Sequence, residues 1–347
     1  MMRPELREVD RDHIIHVIPD LCVSGCYTTA LIIAQQLQKQ YAHTLVYETP
    51  PDELSPEIIW HAQSAGLQTL QTYRIIEETL DNREYTVAIL YNVEGHPNIG
   101  KVLPTIYYSY GYYDSCPGET VVSCCSSYAC RERRWDHYPD KRILDPTHVI
   151  SPLINTRVLR RLKVPPHPFT LGIITSGAYN KYPSRMVIRL LSELPGDIRI
   201  MLSSLDKYPH PGVHFAIEER HKRYPRRIAK CPVRPNGTIP YLTPIDALLY
   251  ASNEGHKEPY GRTVIEAMAL GKPVICERRG VFAEMLKHGV NALLYDTIEE
   301  AIDYVTTIRE NTDMANQLGT NAQMWASWQD MTVHIGKLKR TLRMIGG

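Results

Sequence analysis

The chain of 347 residues carries 39 Lys and Arg against 38 Asp and Glu, a formal net charge of +1. That balance excludes a global field drawing the protein to nucleic acid or to an anionic membrane. With 43 % hydrophobic and 22 % charged residues, the composition is that of a globular chain with a buried core, and the length suits two domains better than one.

The opening MMRPELREVDRDH is charged and lacks the apolar centre of a signal peptide, and no apolar run approaches the length of a membrane span. Eight cysteines without a secretory leader predict free thiols in a reducing, cytoplasmic setting. Tyrosine outnumbers phenylalanine 22 to 3, which keeps aromatic bulk while offering hydroxyls to polar partners.

Taken in order, IIHVI (14–18) predicts a strand, 19–25 a loop and 27–40 a helix with Ala30, Ile33, Ala34 and Leu37 on one face. This is the opening of a Rossmann-like unit. Only Gly25 stands in the loop, so the G-x-G-x-x-G of a dinucleotide site is missing. A strand at 44–47 and a helix at 56–65 follow, and VAILY (87–91) predicts a buried strand whose carboxyl end leads to His96. Another strand, 105–108, runs into a tyrosine-rich segment containing Tyr110. Cys116, Cys124, Cys125 and Cys130 do not form the paired knuckles of a structural zinc site, so no metal is expected.

Basic residues gather at 131–142, 157–163 and 220–230. They read first as solvated helix faces and helix C-termini, and second as a surface for an anionic partner. The proline-dense VPPHP (164–168) predicts a linker. Alternation then restarts, with a strand at 170–174, a helix at 184–194 and strands at 198–202 and 245–250. After residue 290 come a strand at 291–295, a helix at 297–310 and a mostly helical tail in which Trp325 and Trp328 are expected to anchor packing.

The most informative stretch is NEGHKEPYGRTVIEAMALGKPVICERRGVFAE (253–284). It predicts a polar loop, a helix starting near Gly261 with Val264, Ile265, Met268 and Ala269 buried, a Gly271–Pro273 stop and a buried strand at 274–276. A loop-to-helix junction directs backbone N–H groups at an anion. Glu258 and Glu266, eight positions apart, call for a different partner: hydroxyls, which donate to carboxylates.

This stretch resembles the Glu-x7-Glu signature of the group 1 (family 4) nucleotide-sugar glycosyltransferases, and the likeness continues through Gly280, Glu284, Gly289 and Asn291. The resemblance implies an α/β fold of GT-B architecture: two Rossmann-like domains facing across a cleft, an acceptor domain (1–164), a nucleotide-sugar domain (165–325) and a terminal helix (326–347) returning to the first. It implies a retaining, metal-independent glycosyltransferase with no cofactor beyond the nucleotide-sugar co-substrate. Glu258 would orient the sugar, Glu266 the ribose and Lys181 the diphosphate; His96, at the carboxyl end of its strand, is a substitute for the family's histidine beside the transferred sugar. Gly261, Arg262, Thr263, Tyr260, Arg279 and Gly280 would line the donor, and Ser24, Gly25 and Tyr110 the acceptor or diphosphate loop. Two positions depart from the family pattern. Ile173 stands where it has an arginine, and Tyr110 where it often has a histidine. The acceptor is left open among DNA, a lipid head group and a glycan. A DNA-base glycosyltransferase is the alternative enzyme, and a catalytically silent nucleotide-sugar binder the alternative of another class.

Overall fold

The structure is a computed structural model; it describes residues 12–18, 25–47, 56–71, 85–91, 103–109, 120–124, 142–143, 150–157, 159, 166–174, 182–203, 211–231 and 238–346. The chain divides into two compact units, Met1–Leu153 with Ile335–Gly347, and Ile154–His334.

The first unit is built on seven strands: β1 (His13–Ile18), β2 (Ala42–Tyr47), β3 (Gln68–Gln71), β4 (Val87–Tyr91), β5 (Thr105–Ser109), β6 (Thr120–Cys124) and β7 (Arg142–Ile143). They lie in the order β3-β2-β1-β4-β5-β6-β7, and every pair is parallel. Helices α1 (Gly25–Leu37) and α2 (Pro56–Ser64) are crossovers between its first strands. A sheet with both faces covered needs near-continuous apolar strands, and β4 is buried at each of its five positions.

One polar thread runs through that core. The ring of His16 (β1) is fully buried, with Nδ1 2.9 Å from the Tyr91 hydroxyl (β4) and Nε2 3.0 Å from Nδ1 of buried His43 (β2). Burial, with the neighbouring histidines second, lowers His16 well below its ordinary pKa, and burial followed by the charge of His13 lowers His43 to about 4. Both imidazoles are therefore neutral hydrogen-bonding groups near pH 7.

The second unit repeats the plan. Strands β8 (Thr170–Ile173), β9 (Arg199–Ser203), β10 (Ile228–Cys231), β11 (Ala247–Tyr250), β12 (Val274–Glu277) and β13 (Leu293–Tyr295) form an all-parallel sheet in the order β10-β9-β8-β11-β12-β13. Helices α3 (Ser184–Glu193), α4 (Pro211–Arg223), α5 (Ile239–Leu242), α6 (Arg262–Ala269), α7 (Phe282–Met285) and α8 (Ile298–Glu310) accompany it, and α9 (Thr312–Ser327) and α10 (Met331–Gly346) end the chain. Thr297 and Glu300 form a reciprocal capping box that starts α8. Helix α9 lies against the end of α6 so closely that a Cβ on Gly319 would fall 2.3 Å from the Gly271 carbonyl oxygen.

Two expectations change. Trp328 is 67 % exposed, so the packing of α9 rests on Leu318, Ala322 and Ala326 instead. The basic run 220–230 is not simply a solvated face. Arg220 is buried and donates to the carbonyls of Leu191, Leu194, Pro195 and Ile198, closing the C-terminus of α3. Asp246 lies at the amino edge of β11, accepts from Thr170 N–H at 2.7 Å and thereby joins β11 to β8.

Candidate functional site

In both sheets the strand order reverses beside the first strand, and ligands in open α/β sheets bind outside the carboxyl ends at that point. In the second unit this point lies between β8 and β11. The loop 251–261 leaves the carboxyl end of β11 and feeds α6; the loop 278–281 leaves the carboxyl end of neighbouring β12. These two loops make the site.

Glu258 is 8 % exposed and is gripped from several directions. The Tyr250 hydroxyl donates to its Oε2 at 2.7 Å, His256 Nε2 lies 3.4 Å from the same oxygen, and Gly261 N–H donates to Oε1 at 3.3 Å. Burial first, and the Glu258 charge second, push the Tyr250 phenol well above its ordinary pKa, so it stays a proton donor to the carboxylate. Glu258's own carbonyl accepts from Val281 N–H at 2.9 Å.

Two glycines make this approach possible. Gly280 has φ +60°, and a Cβ there would stand 2.8 Å from the Glu258 carbonyl oxygen and 2.9 Å from its nitrogen. Gly261, at φ +75°, turns the loop into α6, and a Cβ there would meet the Phe282 ring at 2.3 Å. Only glycine adopts these angles without cost.

Glu266 is inside α6 and 5 % exposed. Arg262, one turn earlier, donates through Nε to Oε1 at 2.7 Å, and the Thr238 hydroxyl donates to Oε2. The spacing of eight thus puts one carboxylate in the loop and the other one turn into the helix, both at the carboxyl side of β11.

The structure assigns other duties to several donor candidates. The N–H groups of Gly261 and Val281 bond to Glu258, so these two backbone donors are engaged within the loop pair. Tyr260 is 3 % exposed. Arg278 donates to Asp296 and to the Leu294 carbonyl, and Arg279 to Glu277 and to backbone carbonyls of the 251–261 loop. Ile173 sits in the hydrophobic core, so no cation stands at the family's arginine position. Gly25 is the first residue of α1. Ser24, His96, Tyr110 and Lys181 lie outside the described residues.

Glu277 escaped the sequence reading, which ended the strand at Cys276. It is a buried carboxylate that accepts from Ser252 N–H at 3.1 Å, from the Ser252 hydroxyl at 2.5 Å and from Arg279 Nη2 at 2.8 Å. The E-R-R triplet after an apolar strand was the signal that could have found it. No cluster of three or more His, Cys, Asp or Glu able to hold a metal occurs among the described residues.

Two all-parallel α/β units, each with the strand order of a Rossmann sheet, define the GT-B class of fold. Residues 236–325, the segment that holds both glutamates, match the model of the family described as glycosyl transferases group 1. A probable sucrose-phosphate synthase of Thermosipho melanesiensis is 27 % identical over 199 residues, 52 % of this chain and 44 % of the relative. The match thus takes in less than half of that protein's length.

Solved structures agree on the fold. Anabaena HepE in complex with UDP and glucose has a TM-score of 0.73 at 15 % identity, over 95 % of this chain and 99 % of its own. A glycosyltransferase from Rickettsia africae scores 0.74 at 14 % identity, over 97 % and 99 %. The sucrose-phosphate synthase of Thermosynechococcus elongatus scores 0.67 at 13 % identity, over 96 % and 100 %.

Proposed function

We propose that the protein is a glycosyltransferase that moves a sugar from a nucleoside-diphosphate sugar, a UDP-sugar first among them, to a hydroxyl acceptor. One observation carries the reading: two buried carboxylates at the carboxyl side of a switch-point strand, in the segment that matches the group 1 family. Neighbours of the same fold were solved with UDP and with UDP-glucose, which favours uridine as the donor base.

In this reading Glu258 accepts from hydroxyls of the transferred sugar and Glu266 from the ribose. Lys181 faces the diphosphate, where negative charge accumulates as the bond to the sugar breaks. The first-turn amides of α6, such as that of Thr263, add the favourable end of a helix dipole. His96, with Tyr110 and the Ser24–Gly25 loop, belongs to the side of the transferred sugar and acceptor.

In this reading the reaction is a same-face displacement with retention and without a metal, as the resemblance to the group 1 transferases implies. The bond from the anomeric carbon to the phosphate oxygen breaks, the acceptor oxygen bonds to that carbon, and the acceptor proton passes to a phosphate oxygen of the leaving nucleotide.

A thermal-shift panel of uridine, guanosine and adenosine diphosphate sugars tests the reading. At least one should raise the melting temperature of the wild type, and Glu266→Ala should lose most of that shift. If no nucleotide sugar stabilises the protein, the roles of both glutamates fall.

A further inference from the structure

The residues that follow β12 grip the Glu258 loop at both ends. At the far end, Gly280 and Val281 hold the backbone of Glu258 itself. At the near end the grip comes from Arg279. Its guanidinium donates to three successive carbonyls, Ser252 at 2.9 Å, Asn253 at 2.9 Å and Glu254 at 2.7 Å. The same group donates to Glu277 at 2.8 Å, and Glu277 takes both the backbone N–H and the hydroxyl of Ser252. Glu277 is 5 % exposed. A carboxylate that deep needs a paired cation and satisfied oxygens, and Arg279 with Ser252 supply both.

A planar guanidinium with five donors can hold a turn of successive carbonyls in a way a lysine cannot. Here it fixes residues 252–254, while the His256 N–H, donating to the Asn253 carbonyl at 2.9 Å, ties that turn to the approach to Glu258. The path from Arg279 to the carboxylate thus spans one short loop.

We propose that Glu277 and Arg279 are positioning residues: an internal clamp that presets the 252–258 loop so that Glu258 stands ready for the donor's sugar. This rests on the glycosyltransferase reading and deepens it. It also gives Arg279 a different role from a phosphate ligand, because its donors are directed to the loop. The clamp acts on the sugar-facing carboxylate and leaves Glu266, on the helix, alone.

The two roles separate in a binding experiment. Arg279→Lys and Glu277→Gln are titrated with UDP and with UDP-glucose, and amide hydrogen exchange across 252–261 is followed without ligand. The clamp predicts UDP affinity within about twofold of wild type, UDP-glucose affinity or turnover down about ten- to a hundredfold, and faster exchange confined to 252–261. Equal loss of UDP and UDP-glucose affinity would make Arg279 a phosphate ligand and overturn the proposal, as would unchanged exchange in that segment. A wild type that binds neither ligand would instead overturn the glycosyltransferase reading, while the exchange arm still decides whether the clamp exists.

Discussion

Glu258 and Glu266 are chemically identical and are held in different ways. Glu266 is bound by Arg262 within its own helix and by Thr238, so its carboxylate has a cation beside it. Glu258 is held in its loop by a phenol, an imidazole and a backbone amide, and a carboxylate has further acceptor sites for sugar hydroxyls. Glu258→Gln should therefore lower turnover of the nucleotide sugar by about a hundredfold while leaving UDP affinity near that of wild type, as steady-state kinetics and calorimetry would read. Equal loss in both would mean that the two glutamates do not divide sugar from nucleotide. Gly280→Ala has a different cause and a broader effect. The positive φ and the collision with the Glu258 backbone should cost about 2 kcal/mol of stability in the second unit, measured by denaturant unfolding, and turnover should fall with it.

At the scale of elements, local chemistry was legible wherever it decided the outcome. The α6 helix, its Gly271 stop and the β12 strand follow from apolar spacing, and the observed Arg262–Ala269 and Val274–Glu277 agree with that. What the sequence concealed was partnership across it. Arg220 in a basic run reads as solvated, because nothing nearby in sequence announces the four carbonyls at the end of α3. Glu277 reads as the first loop residue because its partners lie 25 positions away or across a turn. Helix α4 starts at Pro211–Gly212 and strand β10 is the short, partly polar IAKC, so neither shows a clear period. The Arg220 closure makes a prediction at this scale. Arg220→Met would leave buried carbonyls without donors and should lower stability by about 3 kcal/mol, seen as a lower denaturation midpoint. A change under about 0.5 kcal/mol would mean that water replaces the guanidinium.

At the scale of the molecule, two units of one topology place different chemistry on similar sheets: a glutamate site in the second and a neutral histidine pair in the core of the first. The pair makes the first unit sensitive to acid. His43 has a folded pKa of about 4, below its unfolded value, and His16 is lowered as well. The unfolded chain therefore takes up protons first as pH falls, so stability present above about pH 6.5 is lost on the way down to about 4. His43 alone should cost about 2 kcal/mol at pH 5, and with Gln in its place the melting temperature of that unit should fall less between pH 7 and 5, the His16 share of the loss remaining. His13, Tyr91 and Cys26 face the same network and are left in place by that variant.

In the proposed reaction an activated sugar is held through its hydroxyls by two acids of one loop–helix segment. A crystal structure with bound UDP-glucose tests this arrangement. Glu258 carboxylate oxygens should lie within about 3 Å of sugar hydroxyls and Glu266 oxygens at the same distance from the ribose. Nucleotide bound away from the carboxyl side of β11, with neither glutamate within hydrogen-bonding distance of it, would contradict this.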